Sequence, residues 1–146
     1  MRRIVLLVWA ALLPCAALAQ TPLANVDAYR GRPLATGAWT LLLAAGSSEA
    51  RYGEAGRPAR LTLRCDMASR RVRITRADRP AGVITIVTSS LTRTLAASAE
   101  VIASDPLLDA IAFSRGRFVV LGSAGGGEAL IIPAWPEAAR IVEDCR

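Results

Sequence analysis

The chain has 146 residues, 53% apolar, 21% charged and 5% aromatic, with a formal net charge of +6, which is too apolar for disorder and sized for one domain. It holds no histidine and no lysine, so all 18 basic residues are arginine. That excludes Ser-His-Asp or Cys-His catalysis, imidazole-ligated zinc, lysine Schiff-base or general-base chemistry, and the phosphate-binding lysine of a Walker loop.

Arg2 and Arg3 precede an apolar run from Ile4 to Leu13 that ends in Ala17-Leu18-Ala19, the pattern of a secretory signal peptide over residues 1–19 cleaved before Gln20. The run is shorter than the roughly 20 apolar residues of a membrane-spanning helix, so no transmembrane segment is expected in the mature chain. Pro14 stands before Cys15 where lipoprotein processing wants a small residue, and lipidation is not expected. The expected setting is periplasmic or secreted. Residues 20–146 carry 16 arginines and 12 acids, a net +4. Export delivers Cys65 and Cys145 to an oxidising compartment, where they are predicted to pair.

Residues 20–36, with Pro22, Gly31 and Pro33, read as an extended lead-in to a single globular domain over 37–146. Trp39, Leu41 and Leu43 share one face of a first strand. Residues 46–58 read as a polar loop. From Arg60 to Met67 the period of two is clear, with Leu61, Leu63, Cys65 and Met67 inward, and Arg71–Thr75 repeats it as the second arm of an antiparallel hairpin. A two-residue loop would face Arg64 with Arg73. The favoured alternative is a four-residue loop, Ala68 to Arg71, with Asp66 opposite Arg73 and Arg64 opposite Thr75, since neither glycine nor asparagine supplies a positive φ there.

Asp78–Gly82 is a turn, Val83–Thr88 a covered β-branched strand, and Leu91–Leu95 a further strand. Asp105 caps a helix with Pro106 at its first position and Leu107, Leu108, Ile111 and Ala112 as its apolar stripe, ended by Gly116. Arg117–Leu121 and Ala129–Ile132 form a second hairpin around the glycine-rich segment 122–128. Pro136 and Glu137 open a terminal helix whose Ala138, Ile141, Val142 and Cys145 face one side, so a Cys65–Cys145 bond would staple it to the inward face of the 61–67 strand. The fold class expected is α+β, mainly β: an antiparallel sandwich or open barrel with one mid-chain helix and a disulfide-tethered C-terminal helix.

Charge is uneven along the chain. Residues 51–79 hold nine arginines and three acids, and residues 100–144 seven acids and three arginines. Arg51, Tyr52, Arg57, Arg60 and Arg64 are the candidate binding face for an anionic ligand or partner, set against the simpler reading of a solvated strand surface. Nucleic acid is not expected as a partner, since Tyr52 is the single aromatic close to the cluster that could stack on a base. Asp105 and Asp109 read as a cap and a first-turn acid rather than a catalytic pair. Ser114 and Ser123 lack a base to activate them, and the glycine-rich segment lacks the helix and lysine of a phosphate loop. Trp39 and Trp135 are expected in the core or at its rim. No catalytic, cofactor-binding or metal residue is assigned, and no cofactor is expected.

The stretches Asp105-Pro106-Leu107-Leu108-Asp109-Ala110-Ile111-Ala112-Phe113-Ser114-Arg115-Gly116-Arg117-Phe118, Ile132-Pro133-Ala134-Trp135-Pro136-Glu137 and Ile141-Val142-Glu143-Asp144-Cys145-Arg146 resemble a group of small uncharacterised exported proteins of Gram-negative bacteria. The order helix, Arg-Gly-Arg, strand, turn, strand, short helix is similar to periplasmic accessory proteins of the invasion-associated locus B type and to type VI secretion accessory factors. The resemblance implies a periplasmic setting and a non-enzymatic role. The expected function is therefore a binding or accessory module that contacts an envelope protein or an anionic envelope component. The alternative is a small inhibitor of an envelope-targeting hydrolase that inserts loop 46–58 or 122–128.

Overall fold

A computed structural model describes residues 25–78, 81–122 and 128–146. Two antiparallel sheets, not closed into a barrel, share one core with two helices. The first sheet has the order β1-β2-β3-β4-β7, built from Ala38–Ala44, Ser47–Gly53, Leu61–Asp66, Arg71–Arg76 and Ser98–Ile102. The second has the order β6-β5-β8-β9, from Thr92–Ala96, Val83–Val87, Arg117–Gly122 and Leu130–Pro133. Helix α1 spans Pro106–Ala112 and α2 Pro136–Asp144. Among the described residues no helix is long and apolar enough to cross a membrane.

Alternation dictates which faces meet. Leu61, Leu63 and Cys65 of β3, Val72 and Ile74 of β4, Ile84 and Ile86 of β5, Phe118 and Val120 of β8, and Leu130 and Ile132 of β9 join the buried residues of both helices in one cluster. All four stripe residues of the terminal helix, Ala138, Ile141, Val142 and Cys145, are buried. The Cys65–Cys145 disulfide is formed, with the two Cα atoms 5.6 Å apart, and it pins α2 to β3.

Polar side chains tie the two sheets through this core. Trp39 of β1 packs its ring edge-on to Tyr52 and tilted against Phe118, while its Nε1 donates to the Pro133 carbonyl of β9 at 2.9 Å. Arg76, the last residue of β4, points inward and is fully buried. Its guanidinium donates to both Asp78 carboxylate oxygens, at 2.9 and 3.3 Å, and to the carbonyls of Val120 and Glu128, at 2.8 and 2.9 Å.

Several expectations are corrected. Residues 47–53 are strand β2 rather than loop: Ala45 and Gly46 form a two-residue turn, Gly46 takes φ 76°, and Ser48, Ala50 and Tyr52 alternate inward. The β3–β4 register is the one set aside, with Arg64 opposite Arg73 and Asp66 opposite Arg71. Two neighbours relieve the like-charge pair, because Glu49 of β2 lies opposite Arg64 and Glu100 of β7 opposite Arg73. The turn needs no glycine: Arg70 itself takes φ 51°, and the Asp66 carboxylate accepts from the Ser69 N–H at 3.0 Å.

Leu43 and Met67 share the inward phase of their strands but lie beyond the covered area and are exposed. Leu91 precedes β6 rather than opening it, and Ser98–Ile102 adds a strand, β7, beyond the expected ones. Helix α1 ends at Ala112 with Phe113 as its C-cap, before Gly116. The described part of the lead-in is not merely extended. Val26–Tyr29 is a 3-10 turn capped by Asn25, and Val26 packs on Val87, Val119 and Ile131 of the outer face of the second sheet. The whole proposed signal peptide, residues 20–24 of the lead-in, residues 79–80 of the expected Asp78–Gly82 turn and most of segment 122–128 lie outside the described residues.

Candidate functional site

Three of the five candidate residues, Arg51, Arg57 and Arg60, line the cavities around the loop that joins β2 to β3, whereas Arg64 lines a separate cleft with Asp66, Arg71, Arg73 and Glu100. Arg51 and Arg64 project from the outer face of the first sheet, two rungs apart, and both reach Glu49. The Arg51 Nε donates to its carboxylate, and Arg64 Nη1 lies 3.6 Å from it. Arg57 sits at the loop tip, largely exposed, with Glu54 at 3.6 Å. Arg60 re-enters the sheet, its N–H donating to the Tyr52 carbonyl at 2.8 Å, and its side chain lies 3.8 Å from Asp78 and 3.2 Å from Glu128.

Tyr52 is the correction to the candidate face. It alternates inward, 1% exposed, because residues 51 and 52 fall on opposite sides of a strand. Its hydroxyl donates to the Ala35 carbonyl at 2.6 Å, and burial pushes its pKa up against an opposing pull from Arg60. It supports the loop from beneath and offers no exposed ring.

Two adjoining open cavities share Glu54, Arg57, Pro58 and Ala59 as a common wall. One, of about 450 Å³, is completed by Arg60, Ala77 and Asp78. The other, of about 340 Å³, runs over Ala38, Thr40 and Leu42 of β1 to Arg51. Strand β1 is an edge of its sheet, carries no charged residue, and leaves Leu42 and Leu43 exposed. Chemically this is an uncharged strand edge beside arginines whose exposed ion pairs contribute only about 0–1 kcal/mol each, so a partner's carboxylates can exchange with the internal ones. Leu42 was legible as an outward residue of the alternation but was not singled out.

The remaining candidates have structural partners. The Asp105 carboxylate caps α1 by accepting from the Leu107 N–H at 2.9 Å and takes Arg93 at 2.6 and 2.8 Å. Asp109 accepts instead from Arg146, so the two acids serve different arginines. The Ser114 hydroxyl donates to the Arg117 carbonyl and accepts from the Ser89 N–H. Ser123 lies outside the described residues. Trp39 is core, but Trp135 is 53% exposed at the N-cap of α2, since only the side of that helix bearing Ala138 and Ile141 meets the sheet. Among the described residues no group of three acidic or cysteine side chains converges as a metal site requires.

Comparison with protein-family models, with curated proteins and with solved structures finds no match for this chain.

Proposed function

We propose that this is an exported, non-enzymatic binding module of the cell envelope, and that its partner is an envelope protein engaged at the β1 edge and the β2–β3 loop. The observation that carries the reading is the continuity of one cavity from Leu42 on the uncharged edge strand to Arg51 and Arg57. Apolar edge backbone suits an extended protein segment, and the arginines favour acidic side chains on it. The leader-like N-terminus and the lack of histidine and lysine are consistent with this setting and this kind of role. The inhibitor reading keeps only residues 54–58 of its first loop, because residues 47–53 are strand.

The test is site-specific photo-cross-linking in cells, with the reactive group at position 42 or 57 and, as a control, at the exposed Thr94 on the opposite sheet. One envelope protein captured from 42 and 57, absent from 94, and lost when Arg51 and Arg57 are both changed to Glu is the expected result. Equal capture at all three positions would refute the site. Recovery of lipid or glycan alone, released by salt, would replace the protein partner with an anionic envelope component.

A further inference from the structure

A second surface lies at the end of the molecule where α1 finishes and α2 begins. The hairpin β8–β9 pairs Arg117 with Pro133, and one step further the Ala134 N–H donates to the Gly116 carbonyl at 3.2 Å. Arg115 precedes Gly116 and Trp135 follows Ala134, so the two flank that hydrogen bond in sequence. Phe113, the C-cap of α1, is 77% exposed, the most exposed large apolar side chain among the described residues. Phe113, two residues before Arg115, and Trp135, next to the Ala134 that bonds Gly116, are thus two exposed aromatic residues on the segments that carry this arginine.

That arginine opens onto a cleft of about 310 Å³ lined by Arg30, Arg115 and Arg117 together with Val26, Asp27 and Gly116. Asp27 is the one acid in the lining and is held by Arg30 at 2.7 Å. Arg117 spends its Nη1 on neutral acceptors, the carbonyls of Tyr29, Arg30 and Arg32 at 3.1 to 3.4 Å. Among the described residues no carboxylate pairs with Arg115. The cleft therefore keeps a net positive charge in a recess with room for a phosphate, and the segments that bear it also carry exposed Phe113 and Trp135, rings of the kind that settle at the boundary between headgroup and acyl chain.

We propose that this pole docks on an anionic phospholipid surface, with a headgroup phosphate between Arg115 and Arg117 and with Phe113 and Trp135 seated in the interface. The surface is independent of the β1 edge, and it would hold that edge free to meet a partner while the module rests on a membrane. One exposed aromatic pair with a few arginines gives weak, reversible attachment, as expected for a peripheral protein.

The experiment is vesicle co-sedimentation of the exported protein, its first residue fixed by intact mass, with phosphatidylcholine vesicles that contain about a third phosphatidylglycerol or none. Wild type is compared with Phe113→Ser, Arg115→Ser and Trp135→Phe, so that any lipid affinity of residues before Asn25 cancels. The substituted side chains are exposed, and unchanged thermal unfolding checks that each variant is folded. Binding to the anionic vesicles is expected to fall about fivefold for Arg115→Ser, the loss for one arginine near a charged surface, and severalfold for Phe113→Ser. Trp135 emission, isolated as the difference from Trp135→Phe, should shift to the blue on binding.

Partitioning equal for wild type and Arg115→Ser, or equal on neutral and anionic vesicles, would overturn the proposal. So would full competition by millimolar glycerol phosphate, which would make the cleft a soluble-anion site. Loss of binding through Arg51→Glu and Arg57→Glu, with Arg115→Ser unaffected, would transfer the lipid contact to the other face.

Discussion

Replacement of Arg76 by Met tests whether a buried guanidinium joins the two sheets. Methionine fills much of the same volume and removes every donor. The buried carbonyl of Val120 then loses its partner, at about 1–3 kcal/mol for a buried acceptor left unmade, and the part-buried carbonyl of Glu128 loses its own at a smaller cost. Asp78 loses its bidentate partner as well. Removal of one member of a fully buried pair costs about 3–5 kcal/mol, but the Asp78 side chain is 30% exposed and has Arg60 at 3.8 Å, so its share is well below that. The total expected is about 3–4 kcal/mol, against a domain stability of about 5–15 kcal/mol. Urea unfolding should show the midpoint falling with an unchanged slope, and the melting temperature should fall by roughly 10 °C. Arg73→Met supplies the scale, because that arginine makes an exposed pair with Glu100 and should change stability by less than about 1 kcal/mol. Addition of Asp78→Asn to Arg76→Met should recover the charge component and leave the carbonyl component. If Arg76→Met stays within about 1 kcal/mol of wild type, the carbonyls find water and the arginine is not what links the sheets.

Three further outcomes are expected. Cys65→Ala with Cys145→Ala opens a loop whose ends are 80 residues apart, and chain entropy sets an upper loss of about 4–5 kcal/mol, readable as a lower denaturant midpoint against the oxidised protein. Gly37→Ala would put a methyl 2.6 Å from the Gly53 carbonyl carbon at φ 133°, so thermal unfolding should register a loss of about 2–4 kcal/mol, whereas Gly31→Ala, with open space around it, should stay within about 0.5 kcal/mol. Denaturation across pH should show two limbs. Tyr52 has its pKa raised by burial, so its contribution is complete below the ordinary tyrosine value near 10 and is lost as pH rises through the folded value, a limb that Tyr52→Phe should flatten. The Ser69 backbone N–H lowers the pKa of Asp66, so its contribution is complete above the ordinary carboxylate range and is lost as pH falls through the folded value, a limb that Asp66→Asn should remove.

Most of the secondary structure was legible because the inward residues are large and apolar. Leu61, Leu63 and Cys65 announce β3, and Ala138, Ile141, Val142 and Cys145 announce the buried side of α2. The two missed strands fail that condition. In β2 the inward residues are Ser48, Ala50 and Tyr52, and around β7 they are Ala97, Val101 and Ala103, all but Val101 small or half polar, so alternation persists with little hydrophobic contrast. Beside β2 the inner face is filled partly by α2, and small inward residues let that helix approach closely. The hairpin register is hidden in the sequence for a different reason. Weighing Arg64 against Arg73 as an isolated pair makes their juxtaposition unfavourable, but in the sheet the row reads Glu49, Arg64, Arg73, Glu100, with each arginine flanked by one acid.

The same row explains why charge counted along the chain misdirects the search for a cationic surface. The eight described arginines of 51–79 are divided among an outer face, a loop and the core, and acids from outside that stretch meet several of them: Glu49 takes Arg51 and Arg64, Glu100 takes Arg73, and Glu128 reaches Arg60. A stretch with six excess charges therefore folds into paired surface, useful for exchange with a partner's carboxylates but not strongly positive. The acid-rich C-terminal third does the reverse. Its Asp105, Asp109 and Asp144 are occupied by Arg93, Arg146 and Arg140, while its own Arg115 and Arg117 turn toward Arg30 of the lead-in with one acid between them. Charge reversal at Arg64 or Arg73 would thus perturb mainly the sheet, whereas reversal at Arg115 removes potential that no carboxylate already balances. That difference is why ligand searches by mutation belong at 113–117 and 135 as much as in the arginine-rich hairpin.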